Sequence, residues 1–336
     1  MSTLLILKQN LKFFFSKWQT FLVPVFKFLF AFASLGVVNN ALGYMSRLKS
    51  LPLVFVAALM CSIMPWGFTA FVAVVFVVLH MYALSMECAL VMGAIFLLFY
   101  LLFSRFAPRD QVAVLLTPMC FYFRVPYAVP ITAGLLGNPG TAVSVAIGTA
   151  SWYMIRFVSQ NEELLRSLSD EEINVRVKTI IDGAVGNKDM RIIAVSFAIT
   201  VMTVAIIKKL SVDHAWTVAI VAGGIVEILS LLVMSLLMSG SLSTVVMITG
   251  TLLGVAVAFV VQFFGFHLDY SRQEKLQFED DDYYYYVKAV PKMYMSAPEK
   301  KVRRINRRRE YDQGPDDVGY DDGYDDGYSE GSADRL

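Results

Sequence analysis

Between Leu4 and Phe266 the chain is a succession of apolar runs, and most of them lack a polar face. A run of roughly 20 such residues crosses a bilayer as one helix. A helix in a water-soluble domain keeps a polar side, so runs that are apolar all round belong in hydrocarbon. Hydrophobic residues make up 57% of the 336, against about 45–50% in soluble domains. These features predict an all-α fold, a polytopic transmembrane helical bundle of about eight spans, with nine as the alternative. The formal net charge of +1 averages two unlike parts, a membrane region poor in charge and a tail after Phe266 crowded with both signs.

In chain order, residues 1–48 read as an interfacial amphipathic helix and a possible first span. Lys8, Lys12, Ser16 and Gln19 recur at helical spacing there, among Leu, Phe and Trp. Residues 49–158 read as a transmembrane bundle. The turn signal Pro65-Trp66-Gly67 and a weaker one at Ser85-Met86-Glu87 divide its first part into spans at 51–64, 67–85 and 88–104, or into two longer tilted ones. Residues 159–190 form an amphipathic polar loop with two capping boxes, Ser159–Glu162 and Ser169–Glu172. After the second box Ile173, Val177, Ile180 and Ile181 share a face, and Gly183 reads as a stop. Residues 191–266 hold three transmembrane segments. Eight spans put both ends on one side of the membrane and nine put them on opposite sides; the distribution of Lys and Arg favours neither outright.

The stretch from 110 to 158 departs from this pattern. Pro118, Pro126, Pro130 and Pro139 interrupt it, and Arg124 stands inside it. Proline removes a backbone donor and clashes with the preceding turn. The stretch therefore reads as a half-helix at 111–123, a break at 124–126, a second half at 127–136, a tight turn at 137–140 and a span at 141–158. Broken backbone at membrane depth persists only where protein covers it or where it lines a cavity. The candidate substrate or ion pathway is accordingly Arg124, Pro126, Pro130, Glu227 and His80. Arg124 and Glu227 are the two charges set most firmly within apolar runs, Glu227 beside Gly223 and Gly224. Such residues are costly unless paired or wet, and the expectation is that these two face each other across the bundle. The bland readings are a structural ion pair, an Arg124 that snorkels from a shallow bend, and a His80 that is a hydrogen-bonded core residue.

The tail, residues 267–336, is expected to be mostly disordered, ending in an Asp-Asp-Gly-Tyr repeat. Lys300, Lys301, Arg303, Arg304, Arg307, Arg308 and Arg309 form a basic block suited to anionic lipid. Nucleic acid is not expected, since neither a binding fold nor interleaved aromatics accompany the block. The segment 276–293, LQFEDDDYYYYVKAVPKM, is a candidate contact for a separate protein partner. Cys61, Cys88 and Cys120 lie scattered in apolar runs and give neither a disulfide framework nor metal spacing. No phosphate loop, HExxH or GxSxG is present. An enzyme, a cofactor and a metal are therefore not expected.

Two blocks, LTPMCFYFRVPYAVPITAGLLGNPGTAVSVAIG at 116–148 and the 276–293 segment, resemble an uncharacterised family of polytopic membrane proteins from clostridial Gram-positive bacteria. Its members are often labelled permease or ABC transporter permease. The resemblance implies a multi-pass protein of the cell membrane and a transporter. Together with the broken helices it gives the leading expectation, a permease-like protein with its site around 118–139 and a cytoplasmic tail. The alternative is a membrane scaffold whose tail recruits partners or anionic lipid.

Overall fold

The computed structural model describes residues 2–108, 110–167, 173–265, 274–279 and 284–289. Two units are distinct, residues 1–267 and residues 268–336. The first is all-helical. Its helices are α1 (Ser2–Ala41), α2 (Leu51–Ile63), α3 (Trp66–Leu84), α4 (Met86–Phe106), α5 (Gln111–Tyr122) and α6 (Ala128–Leu136). They continue with α7 (Thr141–Gln160), α8 (Glu162–Ser167), α9 (Ile173–Val185), α10 (Lys188–Ile207), α11 (Ala215–Met238) and α12 (Thr244–Gly265). Seven of these are long and apolar enough to cross a membrane. Their outer surfaces stay apolar, as at Leu236 and Leu237, which are 81% and 74% exposed. Side chains like these are suited to lipid and not to water. The chain is an integral, multi-pass α-helical membrane protein.

Local chemistry sets the boundaries. Pro52 sits in the first turn of α2, where its missing N–H costs nothing. Ser85 ends α3 and caps α4, its hydroxyl accepting from Cys88 N at 3.0 Å. Asn187 caps α10 through Met190 N at 3.1 Å. Three helices thus fill 51–106, and two long tilted spans do not occur. Ser159 caps nothing: it lies within α7, and α8 begins after Asn161. The Ser169–Glu172 box lies outside the described residues. In α9 the packed face is Val177, Ile180 and Ala184, while Ile173 and Ile181 are exposed. Gly183 does not stop α9. It lies against the Phe157 ring, where a Cβ would come within 2.1 Å of the ring.

Contacts sort the helix ends onto two faces. On one, here the base face, Thr141 Oγ1 donates to Asp110 Oδ2 at 2.5 Å, and Lys208 Nζ donates to Leu135 O at 2.8 Å and to Gly137 O. Gly67 meets Gln111 there, and Gly265 meets Leu136 and Trp216. On the other, the loop face, Arg176 pairs with Glu87 at 2.6 Å, Tyr44 Oη reaches Val158 O at 3.4 Å, and Asp189 accepts from Ser241 N at 3.0 Å. Following the chain between these contacts, α1, α3, α7 and α11 run from base to loop, and α4, α10 and α12 run back. α2 also runs back. Its 13 residues rise only about 20 Å, because the connection 42–50 is drawn inward, with Leu42 and Leu48 buried. Seven long helices and the shorter α2 run between the two faces, which leaves α1 and α12 meeting at the base face.

The pair α5–α6 makes no pass. Both of its feet, Asp110 and Gly137, are on the base face. α5 enters beside α7, running parallel to it, with Gly148 against Val114 and Thr117, and Phe121 stacks on Trp152 at 6.1 Å. α6 then returns along α12. The stretch is a re-entrant hairpin whose tip reaches the level of Phe197, midway along α10.

Residues 1–48 hold a single helix of 40 residues, α1, with Pro24 inside it. Ser62 Oγ donates to Pro24 O at 2.8 Å, which places Pro24 at the base face. Lys8 lies about 24 Å of helix before Pro24, and its ammonium stands 5.3 Å over the Phe263 ring in the last turn of α12. A straight continuation would carry Lys8 clear of the base face. The contact instead keeps the first half of α1 along that face, with Phe13, Phe14, Trp18 and Phe21 exposed.

In the second unit, β1 (Glu274–Glu279) and β2 (Tyr284–Ala289) pair antiparallel, with Glu274 opposite Ala289 and Glu279 opposite Tyr284. Residues 276–279 and 284–289 of the 276–293 segment belong to these two strands. The basic block at 300–309 lies outside the described residues.

The α5–α7 contact is testable. Pro118 has no N–H to give Val114 O, and Gly148 lets α7 close on that carbonyl: a Cβ there would lie 2.8 Å from Val114 O and 2.7 Å from Thr117 Cβ. Gly148→Val should destabilise the folded bundle by about 1–3 kcal/mol through overpacking. Unfolding titrated with denaturing detergent measures this, and an unchanged midpoint would show that the helices are not held this close.

Candidate functional site

The hairpin turns by capping its own end. Phe123 N donates to Met119 O at 3.0 Å, Arg124 N to Phe121 O at 3.1 Å and Val125 N to Cys120 O at 2.8 Å. Arg124 has φ 62°. This is a Schellman cap with arginine where glycine is usual, and Pro126 follows because the helix cannot continue. The left-handed backbone sends the Arg124 side chain outward, where it is exposed beside Tyr122 and Phe123. The only ion pairs among the described residues are Glu162–Arg166 and Glu87–Arg176. Arg124 therefore does not face Glu227, and the expected charge pair across the bundle does not form. The long Arg stem can carry its charge along an apolar surface, so exposure suits it better than burial.

Glu227 is 0% exposed, and neither carboxyl oxygen has a hydrogen-bond partner. The packing around it follows from its neighbours. Gly223 and Gly224, one turn earlier, admit Val204 of α10 and Val255 of α12. Continuing these antiparallel registers sets Glu227 level with Thr200 on α10 and Thr251 on α12. Ser196 lies one turn further towards the loop face. Ser196, Thr200 and Thr251 are all fully buried. The Thr200 hydroxyl donates to Ser196 O at 2.9 Å, while the Ser196 and Thr251 hydroxyls have no partner.

The hairpin tip closes this cluster from the fourth side. Tyr127 O approaches Gly254 so closely that a Cβ there would lie 2.6 Å away, and the Tyr127 ring lies against Gly250. The Tyr127 ring meets Phe197 edge-on at 5.9 Å. Pro130 is buried in α6 and Pro126 half-buried at the turn; both shape the hairpin without presenting a polar group. Sequence reading missed Tyr127, Ser196 and Thr251. The signal for Tyr127 was there: Gly250-x-x-x-Gly254 on α12 is a small-residue seam for close backbone approach.

His80 belongs elsewhere. It is fully buried near the loop face, where Nδ1 accepts from Met45 N at 3.1 Å. The proton therefore sits on Nε2 and is donated to Asn39 Oδ1 at 2.7 Å, and Asn39 Nδ2 donates to Leu48 O at 2.9 Å. Both ring nitrogens are used in holding the inward connection 42–50, and nothing is left for a ligand.

At the base of the hairpin, the Lys208 ammonium fits the C-terminal end of α6, where the helix dipole is negative. Burial pushes this ammonium below its ordinary range and Lys209 adds to that, while Asp110 opposes it. Cavities flank the bundle interior. An apolar one of about 60 Å³ lies between α1, α3, α4, α5 and α7, lined by Pro118 and Met119 but not by Arg124. Two polar ones of about 350 Å³ each open at the loop face, one around Glu87, Arg166 and Arg176, the other around Tyr153, Arg156, Asn187 and Asp189. No group of three or more His, Cys, Asp or Glu suited to a metal occurs among the described residues.

The fold and the site define a polytopic α-helical membrane protein with a re-entrant hairpin closing over a buried carboxyl. No protein-family model, curated protein or solved structure matches the chain.

The left-handed cap separates two roles for Arg124. A non-glycine residue there costs roughly 1–2 kcal/mol. Arg124→Gly should raise the detergent-unfolding midpoint and leave the hairpin in place. A fall in stability would mean that the guanidinium makes a contact the cap geometry does not require.

Proposed function

We propose that the protein is a carrier in which the re-entrant hairpin and the helices around Glu227 form the substrate pathway. One observation carries this reading: a fully buried carboxyl without a partner lies against the tip of a hairpin that enters the bundle from one face only. A buried polar group left unsatisfied costs several kcal/mol in hydrocarbon, and a purely structural bundle gains nothing from it. Ionisable residues within the membrane mark pathways and relays, and interrupted helices near the midplane form the sites of many carriers. The site includes Glu227, Tyr127, Pro126 and Pro130, with Ser196 and Thr251; Arg124 and His80 are outside it. In this reading the protein sits in the cell membrane with the base face and the tail in the cytoplasm. The base-face segments Lys208–Lys209 and the first half of α1 are basic, and so is the block at 300–309, which would hold anionic lipid.

A scaffold is the second reading, and the paired strands 274–279 and 284–289 favour it, since a paired segment within a polar tail offers strand edges to a protein partner. Alternating access distinguishes the two. With Cys61, Cys88 and Cys120 replaced, Ser196→Cys and Thr251→Cys substitute nearly isosterically beside Glu227. A carrier should allow a membrane-impermeant maleimide to label these positions from each side in vesicles of known orientation, and deleting 267–336 should leave the labelling unchanged. Protection from both sides, with the phenotype lost on deleting the tail, would support the scaffold instead.

A further inference from the structure

Between Glu227 and the base face the bundle is closed by an apolar plug, and α6 supplies one side of it. Ile131 and Leu135 of α6, Val204 of α10, Ala219 and Ile220 of α11 and Ala258 of α12 are all buried there. At this end α11 and α12 are tied to each other, Gln262 Nε2 donating to Thr217 Oγ1 at 3.0 Å. α6 meets that pair through the apolar side chains of the plug and through the glycine seam of α12.

The two helices of the hairpin are finished in different ways. α5 closes on itself, since Arg124 N and Val125 N turn back to Phe121 O and Cys120 O. α6 does not. Gly137 follows it, and glycine usually closes a helix by turning left-handed, yet here its φ is −94° and its ψ −159°. Asn138 N donates instead to Thr141 Oγ1 of α7 at 2.9 Å. From the end of α10, Lys208 Nζ donates to Leu135 O at 2.8 Å and to Gly137 O, 73 and 71 residues away in the chain. Only glycine allows this close approach at 137, because a Cβ there would lie 2.2 Å from Thr141 Oγ1. The last turn of α6 is therefore held by two other helices and not by a cap of its own.

We propose that α6 is the base-face gate of the pathway and that Lys208 is its latch, a positioning residue that keeps Ile131 and Leu135 in the plug. This deepens the carrier reading and rests on it for its purpose. When the ammonium withdraws, the last turn of α6 loses its hold and the plug loses one side, while Gln262 and Thr217 keep α11 and α12 together. The chemistry suits a reversible hold. The carbonyl end of a helix favours a cation, and an ammonium is a compact charge with rotatable donors on a flexible stem, so it can leave and return without a fixed geometry. A lysine that merely completed the hydrogen bonding of α6 would, on removal, loosen the bundle as a whole. A latch loosens α6 alone, and towards one face.

The test uses the full-length protein in lipid nanodiscs, with Cys61, Cys88 and Cys120 replaced, and amide hydrogen exchange read separately on α5, α6 and α12. In the parent, α6 should exchange ahead of α5. Lys208→Met should speed exchange in α6 by about tenfold, the scale of one hydrogen bond to a charged group, and leave α5 and α12 unchanged. Lys209→Met, at the exposed neighbour, should match the parent. Lys208→Cys should behave as Lys208→Met, and treating its thiol with bromoethylamine, which rebuilds an ammonium on a stem of the same length, should restore the parent rate. In vesicles of known orientation, Lys208→Met combined with Thr251→Cys should raise maleimide labelling from the base face and not from the loop face. Unchanged exchange in α6, a rise shared equally by α5 and α12, or no recovery with bromoethylamine overturns the latch. If the substituted proteins do not assemble, the parent decides, and α6 exchanging in step with α5 overturns the proposal. The exchange measurements require no transport. A parent protected from maleimide on both faces removes the carrier and leaves them to judge the latch, whereas failure of the latch leaves two-sided labelling as the test of the carrier.

Discussion

The structure depends on one constraint: within hydrocarbon, every backbone N–H and C=O at a break has to find a partner inside the protein. The chain breaks its helices at several points and meets the constraint by different means. At the hairpin tip a Schellman cap turns the N–H groups of Arg124 and Val125 back onto α5. At the foot of α6 the Lys208 ammonium takes the last carbonyls. In the connection 42–50, Asn39 and His80 supply side-chain partners to Leu48 O and Met45 N. Where Pro118 leaves the Val114 carbonyl without its helical donor, Gly148 brings α7 against it.

With those breaks satisfied, the hairpin can stand inside the bundle and divide it. α5 packs with α7 and borders the apolar cavity shared with α1, α3 and α4. α6 packs into the seam of α12 and closes the cluster around Glu227. One short element thus has an apolar space on one side and a buried carboxyl on the other.

The loop face is built differently. Asp189 accepts from both the backbone and the hydroxyl of Ser241, tying α10 to the α11–α12 connection. Glu87 and Arg176 tie α9 to α4. These contacts fix the rim around the two polar cavities. At the base face the hairpin feet and Lys208 hold the opposite end. The carboxyl lies between two anchored rims, in the part of the bundle held by apolar packing alone.

Much of this was legible in the residues. Apolar runs of span length require helices across a bilayer. Pro126 after Arg124, and Gly137-Asn138-Pro139-Gly140, place the breaks to within a few residues, because proline and glycine act on the backbone locally. Ser85 marks a helix start by the same local logic. Glu227 was visible as a charge where charges are costly. What the residues alone could not fix was partnership. Whether α5 and α6 cross the membrane or return to the same face depends on which surface each half-helix packs against, and both halves are apolar enough for either. Arg124 and Glu227 looked like a pair because both are charges in apolar runs. The left-handed cap turned one outward while the packing of α10, α11 and α12 sealed the other inside. His80 looked like a candidate ligand until Asn39 and Met45, 41 and 35 residues earlier, used both of its nitrogens. The sequence by itself determined the solvent, the helices and their breaks, since each follows from local hydrophobicity and backbone chemistry. Only the tertiary structure decided the re-entrant path, the isolation of Glu227 and the neighbours of Tyr127, because those depend on contacts between residues far apart in the chain.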